Sequence, residues 1–266
     1  MFFDHIRAAL ARPTHISAGS FWHGHIPFAH YLVACLRPRK IVEFGVEHGD
    51  SLFAFADALK WNGIEGGVVV GCDSWQGDRH VGKQHEWIFD RVNTISAKYG
   101  PTIQLMRDNT VECAKNFDDE SIDILHIDAS HDYESVRNDY EAMVPKLRQG
   151  GVVLFHDIVA FGEGFGVWQL WNELARQFPH FCFAHCAGLG VLAPRGSPEA
   201  IKGLFETSVE NRVAFASLFA RLGRAIVNQY DSIEQQRRLE EVARLPVPSE
   251  IAQDMLLARC LDDCRW

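Results

Sequence analysis

Carboxylates and imidazoles fall at the ends of this chain's short apolar runs. Glu43 closes the first, Asp73 follows Gly66 to Cys72, Asp128 follows Ile122 to Ile127, and His156 and Asp157 follow Val152 to Phe155. His131 lies three residues beyond Asp128. These residue types accept hydrogen bonds from hydroxyls and cations and move protons. Asp73 is placed to accept from ribose hydroxyls. Glu43, two residues before Gly45, would repel a pyrophosphate but can accept from a cationic amino-acid moiety. Trp75 in the DSWQGD loop is free to stack on a base or substrate ring, or to pack the loop.

The elements that position these residues are legible around Ser121 to Asp157. Ile122 to Ile127 reads as a buried strand delivering Asp128 at its carboxyl end. Asp132 or Ser130 can cap a helix over Tyr133 to Leu147, whose apolar positions recur at helical spacing. Gly150-Gly151 stops it, and Val152 to Phe155 is a second buried strand. Such a strand–helix–strand unit implies parallel strands and a right-handed crossover. Asp128, His131, His156 and Asp157 then meet at the carboxyl edge of one sheet, where open α/β sheets bind ligands. The plainer alternative is that they cap helices.

The rest of the chain fits the same architecture. Residues 1 to 39 predict one or two helices, with Phe21 to Pro27 as a lid or surface loop. His23, His25 and His30 could ligate a metal there. Lys40 to Phe44 is the first strand. Glu43, Gly45, Gly49 and Ser51 mark a turn into a helix over Leu52 to Trp61, its glycines letting the backbone approach a ligand. The glycine spacing departs from the dinucleotide fingerprint, which disfavours an NAD-dependent dehydrogenase. A helix over His85 to Tyr99, a strand over Thr102 to Met106 and a short helix capped by Asp108-Asn109 follow. Val167 to Phe178 predicts another helix, and His180 to His185 with Val191 to Ala193 a terminal hairpin. From residue 196 the pattern turns helical to about Leu245, with Gly223 as a possible break, then a short helix to Leu261.

Composition bounds the function. At 266 residues and net charge −9, without a basic block, the chain offers no surface for nucleic acid. No apolar run reaches membrane-span length and the start lacks a secretion signal, so a cytoplasmic location is expected. Seven cysteines are scattered in a pattern that predicts free thiols rather than zinc or disulfides.

On these residues, residues 38 to 194 resemble a class I S-adenosylmethionine-dependent methyltransferase. The resemblance is to metal-assisted O-methyltransferases, and to bacterial domains found near glycosyltransferases. It rests on His126-Ile127-Asp128, His131, Tyr133-Glu134, Gly150-Gly151 and His156-Asp157. It implies an α/β, Rossmann-like, doubly wound seven-stranded sheet with a reversed last strand, N-terminal helices (1 to 39), a cofactor domain (40 to 195) and a helical extension (196 to 266). Glu43, Gly45, Gly49 and Ser51 would hold the methionine part of the cofactor, Asp73 the ribose, with Trp75 beside it, and Asp108 and Asn109 the adenine. Asp128 would border the cofactor as well.

The resemblance further implies a divalent ion on Asp128, His156 and Asp157. His156 departs from the carboxylate or amide usual there, shifting preference from magnesium toward manganese, iron or zinc. His131 matches the general base, with Asp132 as the alternative. The expected function is O-methylation of a sugar hydroxyl in a glycan or glycosylated metabolite. Alternatives are a small phenolic or carboxylate acceptor, hydroxylation chemistry, and a non-catalytic partner of a glycosyltransferase. The tail could pack on the domain, form a homodimer or dock a glycosyltransferase.

Overall fold

The computed structural model describes residues 2–17, 20–78 and 82–244. They belong to two units, one ending at Gly223 and one beginning at Arg224. The predicted last helix, to Leu261, lies outside the described residues. Among those described, no helix is long and apolar enough to cross a membrane.

The first unit is built on seven strands: β1 (Lys40–Phe44), β2 (Val68–Cys72), β3 (Ile103–Met106), β4 (Ile122–Ile127), β5 (Leu147–His156), β6 (His180–Phe183) and β7 (Leu189–Leu192). Their order across the sheet is 3-2-1-4-5-7-6. The first five are parallel, and β7 runs antiparallel between β5 and β6. β1, β2 and β4 are almost wholly buried, as continuous apolar strands covered on both faces must be. The strand order reverses between β1 and β4, where Phe44 pairs with Ile127. A crevice therefore opens beyond the carboxyl ends of these two strands.

Helices α1 (Phe2–Ala8), α2 (Ile26–Leu36), α3 (Asp50–Trp61), α4 (Glu86–Ser96), α5 (Thr110–Ala114), α6 (Tyr133–Met143), α7 (Val167–Ala175), α8 (Lys202–Glu206) and α9 (Val209–Arg244) complete the set. Asp132, not Ser130, caps α6 by accepting from Ser135 N at 3.1 Å. The helix ends four residues short of the expected Leu147 because Pro145, lacking an N–H, turns the chain into a 3-10 segment at Val144–Lys146. β5 begins earlier than expected, at Leu147, and passes through Gly150 at φ +75°.

Of the lid or surface loop expected from Phe21, the surface loop is not what forms. The segment is a 3-10 turn, Phe21–His25, in which Trp22, His23, Gly24 and His25 are buried. Neither is α9 broken at Gly223: a Cβ there would lie 2.1 Å from the Gly24 carbonyl, so glycine permits close packing without ending the helix. Phe215 and Phe219 of α9 pack on Phe28, Tyr31 and Phe183. The helical extension thus joins the first unit through Gly223.

Asp139, on the buried side of α6, has its carboxyl pushed up to about 6 by burial, against a hydrogen bond with Thr110. A raised folded-state value makes the protein bind this proton more tightly when folded. Stability from this group is complete below about pH 4 and lost as pH rises through 6. Asp139→Asn is expected to raise the melting temperature at pH 7.5, by about 2 kcal/mol of stability, and to leave it unchanged at pH 4. Equal effects at both pH values would contradict this account.

Candidate active site

At the crevice between β1 and β4 lies a cleft of about 430 Å³. Its floor is set by backbone. Gly45 N donates to Cys72 O at 3.0 Å and Asp128 N to Phe44 O at 2.8 Å, tying the ends of β1, β2 and β4 together. Gly45 adopts φ +85°, and a Cβ there would lie 2.0 Å from the Asp128 carbonyl. Gly49, also at φ +85°, caps α3. The turn is braced by Asp73, whose Oδ2 accepts from Val46 N and Glu47 N at 2.8 and 2.9 Å and whose Oδ1 accepts from Trp75 N at 2.7 Å.

Most of the residues singled out from the sequence converge here. Gly45, Gly49, Ser51, Asp73, Asp108, Asn109, Asp128, His131, His156 and Asp157 all line the cleft. Asn109 also caps α5, accepting from Glu112 N at 3.0 Å. Two residues stand elsewhere. Trp75 is 2% exposed, its indole donating to Glu47 O at 3.0 Å and packing on Phe89. Its backbone is in the left-handed region, φ +52°, and it is not among the cleft's lining residues. Glu43 is wholly buried behind the wall, where Ser51 and His126 donate to its Oε1. Sequence reasoning gave no role to His126, which completes this arrangement with Trp22, and missed Ser20; Phe21 and Trp22 come from the segment expected as a lid or surface loop and stand in the lining.

The ionisable cluster has a definite internal order. His156 Nδ1 lies 3.2 Å from Asp128 Oδ1 and 3.4 Å from Asp157 Oδ1, while its Nε2 donates to the Cys186 carbonyl at 3.1 Å. Burial alone would lower the His156 value; Asp128 and Asp157 reverse that and lift it to about 9. Both ring nitrogens thus face acceptors, Nδ1 the carboxylates and Nε2 the carbonyl. Burial likewise opposes the charge of Asp128, but chiefly His156 holds its carboxyl below the ordinary value. His131 Nε2 contacts Asp157 Oδ2 at 3.1 Å, and its ring packs on Phe165 at 5.0 Å.

For a cation, the groups whose ligand atoms all lie within 4.8 Å of one another are Asp128, His131 and Asp157. The set expected from the sequence had His156 where His131 stands. Two carboxylates and an imidazole suit a borderline divalent ion. His156 could join them only after losing a proton. His23, His25 and His30 form no such group among the described residues. His23 lies 3.3 Å from Asp50, His25 hydrogen-bonds the Cys186 carbonyl at 3.1 Å, and His30 is pushed down to about 4 by burial.

Six carboxylates line the cleft (Glu47, Asp50, Asp73, Asp108, Asp128 and Asp157), with no lysine or arginine among the described lining residues. Such a field favours a cationic ligand over a pyrophosphate.

Residues 42–158 match the family model described as a methyltransferase domain. A relative from Sinorhizobium fredii, uncharacterized protein y4gI, is 34% identical over 98% of this chain; the chain spans 29% of that relative's length. Among solved structures, the O-methyltransferase TomG from Streptomyces achromogenes, in complex with SAM, aligns at TM-score 0.50 and 16% identity over 73% of this chain and 89% of its own. The SAH-bound methyltransferase PaMTH1 of Podospora anserina aligns at TM-score 0.50 and 12% identity, over 72% and 94% of the two chains. Cofactor-bound Rv0187 from MTB aligns at TM-score 0.51 and 14% identity, over 73% and 88%. At these identities the three structures share the fold. The matched methyltransferase domain thus runs from the glycine turn through His156-Asp157, on a seven-stranded sheet whose fold these three structures share.

Proposed function

We propose that this chain transfers the methyl group of S-adenosylmethionine to a hydroxyl oxygen of a neutral acceptor, a sugar of a glycan or glycosylated metabolite. The observation that carries the reading is the acidic cleft at the β1–β4 crevice with the Asp157–His131 pair on its wall. A sulfonium and an ammonium offset the lining carboxylates. A carboxylate or phosphorylated acceptor would add to their repulsion, which leaves hydroxyl compounds. The half-open rim, with Phe21 70% exposed, offers an apolar face to the C–H side of a sugar ring.

In this reading Gly45 and Gly49 let the backbone approach the methionine part, Glu43 and Ser51 serve its ammonium end, Asp73 serves the ribose, and Asp108 and Asn109 flank the adenine. The acceptor oxygen attacks the methyl carbon as the carbon–sulfur bond breaks, its electron pair returning to sulfur and leaving a neutral thioether. His131, backed by Asp157, takes the hydroxyl proton, and Asp157 steadies the imidazolium that forms. Alignment of oxygen, methyl and sulfur contributes most of the remaining rate. Asp128, His131 and Asp157 would hold a divalent ion, which makes a coordinated hydroxyl more acidic. His131 is then a ligand, and the need for a base is correspondingly less.

Calorimetric titration with S-adenosylmethionine and S-adenosylhomocysteine is expected to show micromolar binding. His131→Ala should retain that binding while lowering kcat by about 10²- to 10⁴-fold; near-wild-type turnover would remove His131 from the chemistry. The acceptor is tested with neutral sugars against phenols of similar size, and turnover of phenols alone would replace the sugar reading. Cofactor binding without turnover on any acceptor, together with stable co-purification of a glycosyltransferase, would favour a non-catalytic role.

The ion is tested separately. Manganese is expected to bind the wild type, and Asp157→Asn to weaken it at least about tenfold, since one of three ligand groups loses its charge. Full activity after EDTA, with no manganese binding, would leave His131 as the base alone.

A further inference from the structure

A hydrogen-bonded chain links the N-terminal 3-10 turn to the end of β1. An indole N–H can only donate, so Trp22 Nε1 donates to His126 Nε2, 3.1 Å away. That nitrogen must therefore present a lone pair, which puts the ring's hydrogen on Nδ1. His126 Nδ1 in turn donates to Glu43 Oε1 at 2.8 Å, and the Ser51 hydroxyl donates to the same oxygen. Glu43 and His126 are register partners on β1 and β4, both 0% exposed, and Trp22 is 3% exposed. Phe55 packs on both rings, 5.5 Å from Trp22 and 5.9 Å from His126.

Both donors converge on one carboxylate oxygen. Glu43 Oε2 is buried and has no hydrogen-bond partner among the described residues. An acceptor left bare in the interior costs on the order of 1–3 kcal/mol, so Oε2 has room for a further donor. Trp22 and Ser51, at the two ends of the chain, line the cleft, as does Gly45 two residues after Glu43.

We propose that Trp22 and His126 are positioning residues for the amino-acid end of the cofactor: Trp22 fixes the tautomer of His126, His126 anchors Glu43 through Oε1, and Oε2 is thereby reserved for the cofactor's ammonium group. The proposal rests on the cofactor reading above. It assigns the N-terminal turn a part in cofactor recognition although the turn lies outside the matched domain.

The test compares two ligands that share the thioadenosine part. S-adenosylhomocysteine carries the ammonium; 5′-methylthioadenosine does not. Trp22→Phe keeps an aromatic ring and deletes the donor. It is expected to weaken S-adenosylhomocysteine binding about tenfold and to change 5′-methylthioadenosine binding less than about twofold. His126→Asn, which can still donate to Glu43, should keep more of the S-adenosylhomocysteine affinity than His126→Phe, which cannot. Equal losses for both ligands would reduce Trp22 and His126 to packing and overturn the proposal, as would no loss for either. If the wild type binds neither ligand, the cofactor reading falls and this inference with it. If Trp22→Phe does not fold, the His126→Asn and His126→Phe pair decides on the same ligand ratio.

Discussion

The close approach of Gly45 to the Asp128 carbonyl is the constraint on which the rest of this structure depends. It is possible only because residue 45 has no side chain and accepts φ +85°. It brings the ends of β1 and β4 together where the strand order reverses. Everything with chemical potential then follows from position: Asp128 and His131 leave β4, His156 and Asp157 end β5, and Asp73 leaves β2 to brace the same turn. A larger residue at 45 would not merely narrow the cleft; it would part the two strand ends that define it.

That geometry concentrates negative charge, and the concentration needs an internal answer. Asp128 and Asp157 bring carboxylate oxygens within 4.8 Å of one another, and a cation beside them offsets their repulsion. The protein supplies one in His156, whose value rises to about 9 because it sits between them with its far nitrogen tied to the Cys186 carbonyl. His131 contacts Asp157 from the other side. Charge here is distributed so that two imidazoles divide two carboxylates, which is why His131 and His156, similar in sequence context, have different chemistry. One is wedged into the protein; the other stands on the wall of the cleft.

The sheet and most of the site were legible in the sequence because both are written in short-range patterns. Apolar runs of strand length, acids at their ends and a helix-period crossover mark the β4–α6–β5 unit without any knowledge of partners. What stayed hidden depends on long-range contact or on backbone angle. His126 lies inside an apolar run and reads as strand filler; its meaning comes from Trp22, 104 residues away. Trp75 follows an acid in a polar loop, and its ring is held inward by the Glu47 carbonyl and Phe89, contacts the sequence does not reveal. The pairing of His156 with Asp157 as neighbours in sequence gave no warning that the left-handed turn at Asp157, φ +61°, would leave its carboxylate with His131 as well.

The N-terminal segment shows the same limit from the other direction. Phe21 to His25 carries no regular period, which fits a lid as well as a surface loop. In the structure Trp22 to His25 are buried, and distant groups meet them there: His126 for Trp22, Asp50 for His23, the Cys186 carbonyl for His25, and His185 for the Gly24 carbonyl. Gly24 itself is hemmed by Cys186 and Gly223, so neither glycine could carry a side chain without displacing the turn. A segment held by so many long-range contacts depends on the sheet for its geometry. Its partners, Asp50 and His126, belong to the helix and strand that flank the cleft. The segment and the cleft are therefore built from shared hydrogen bonds, and disturbance at one is transmitted to the other through identified atoms rather than through general loosening.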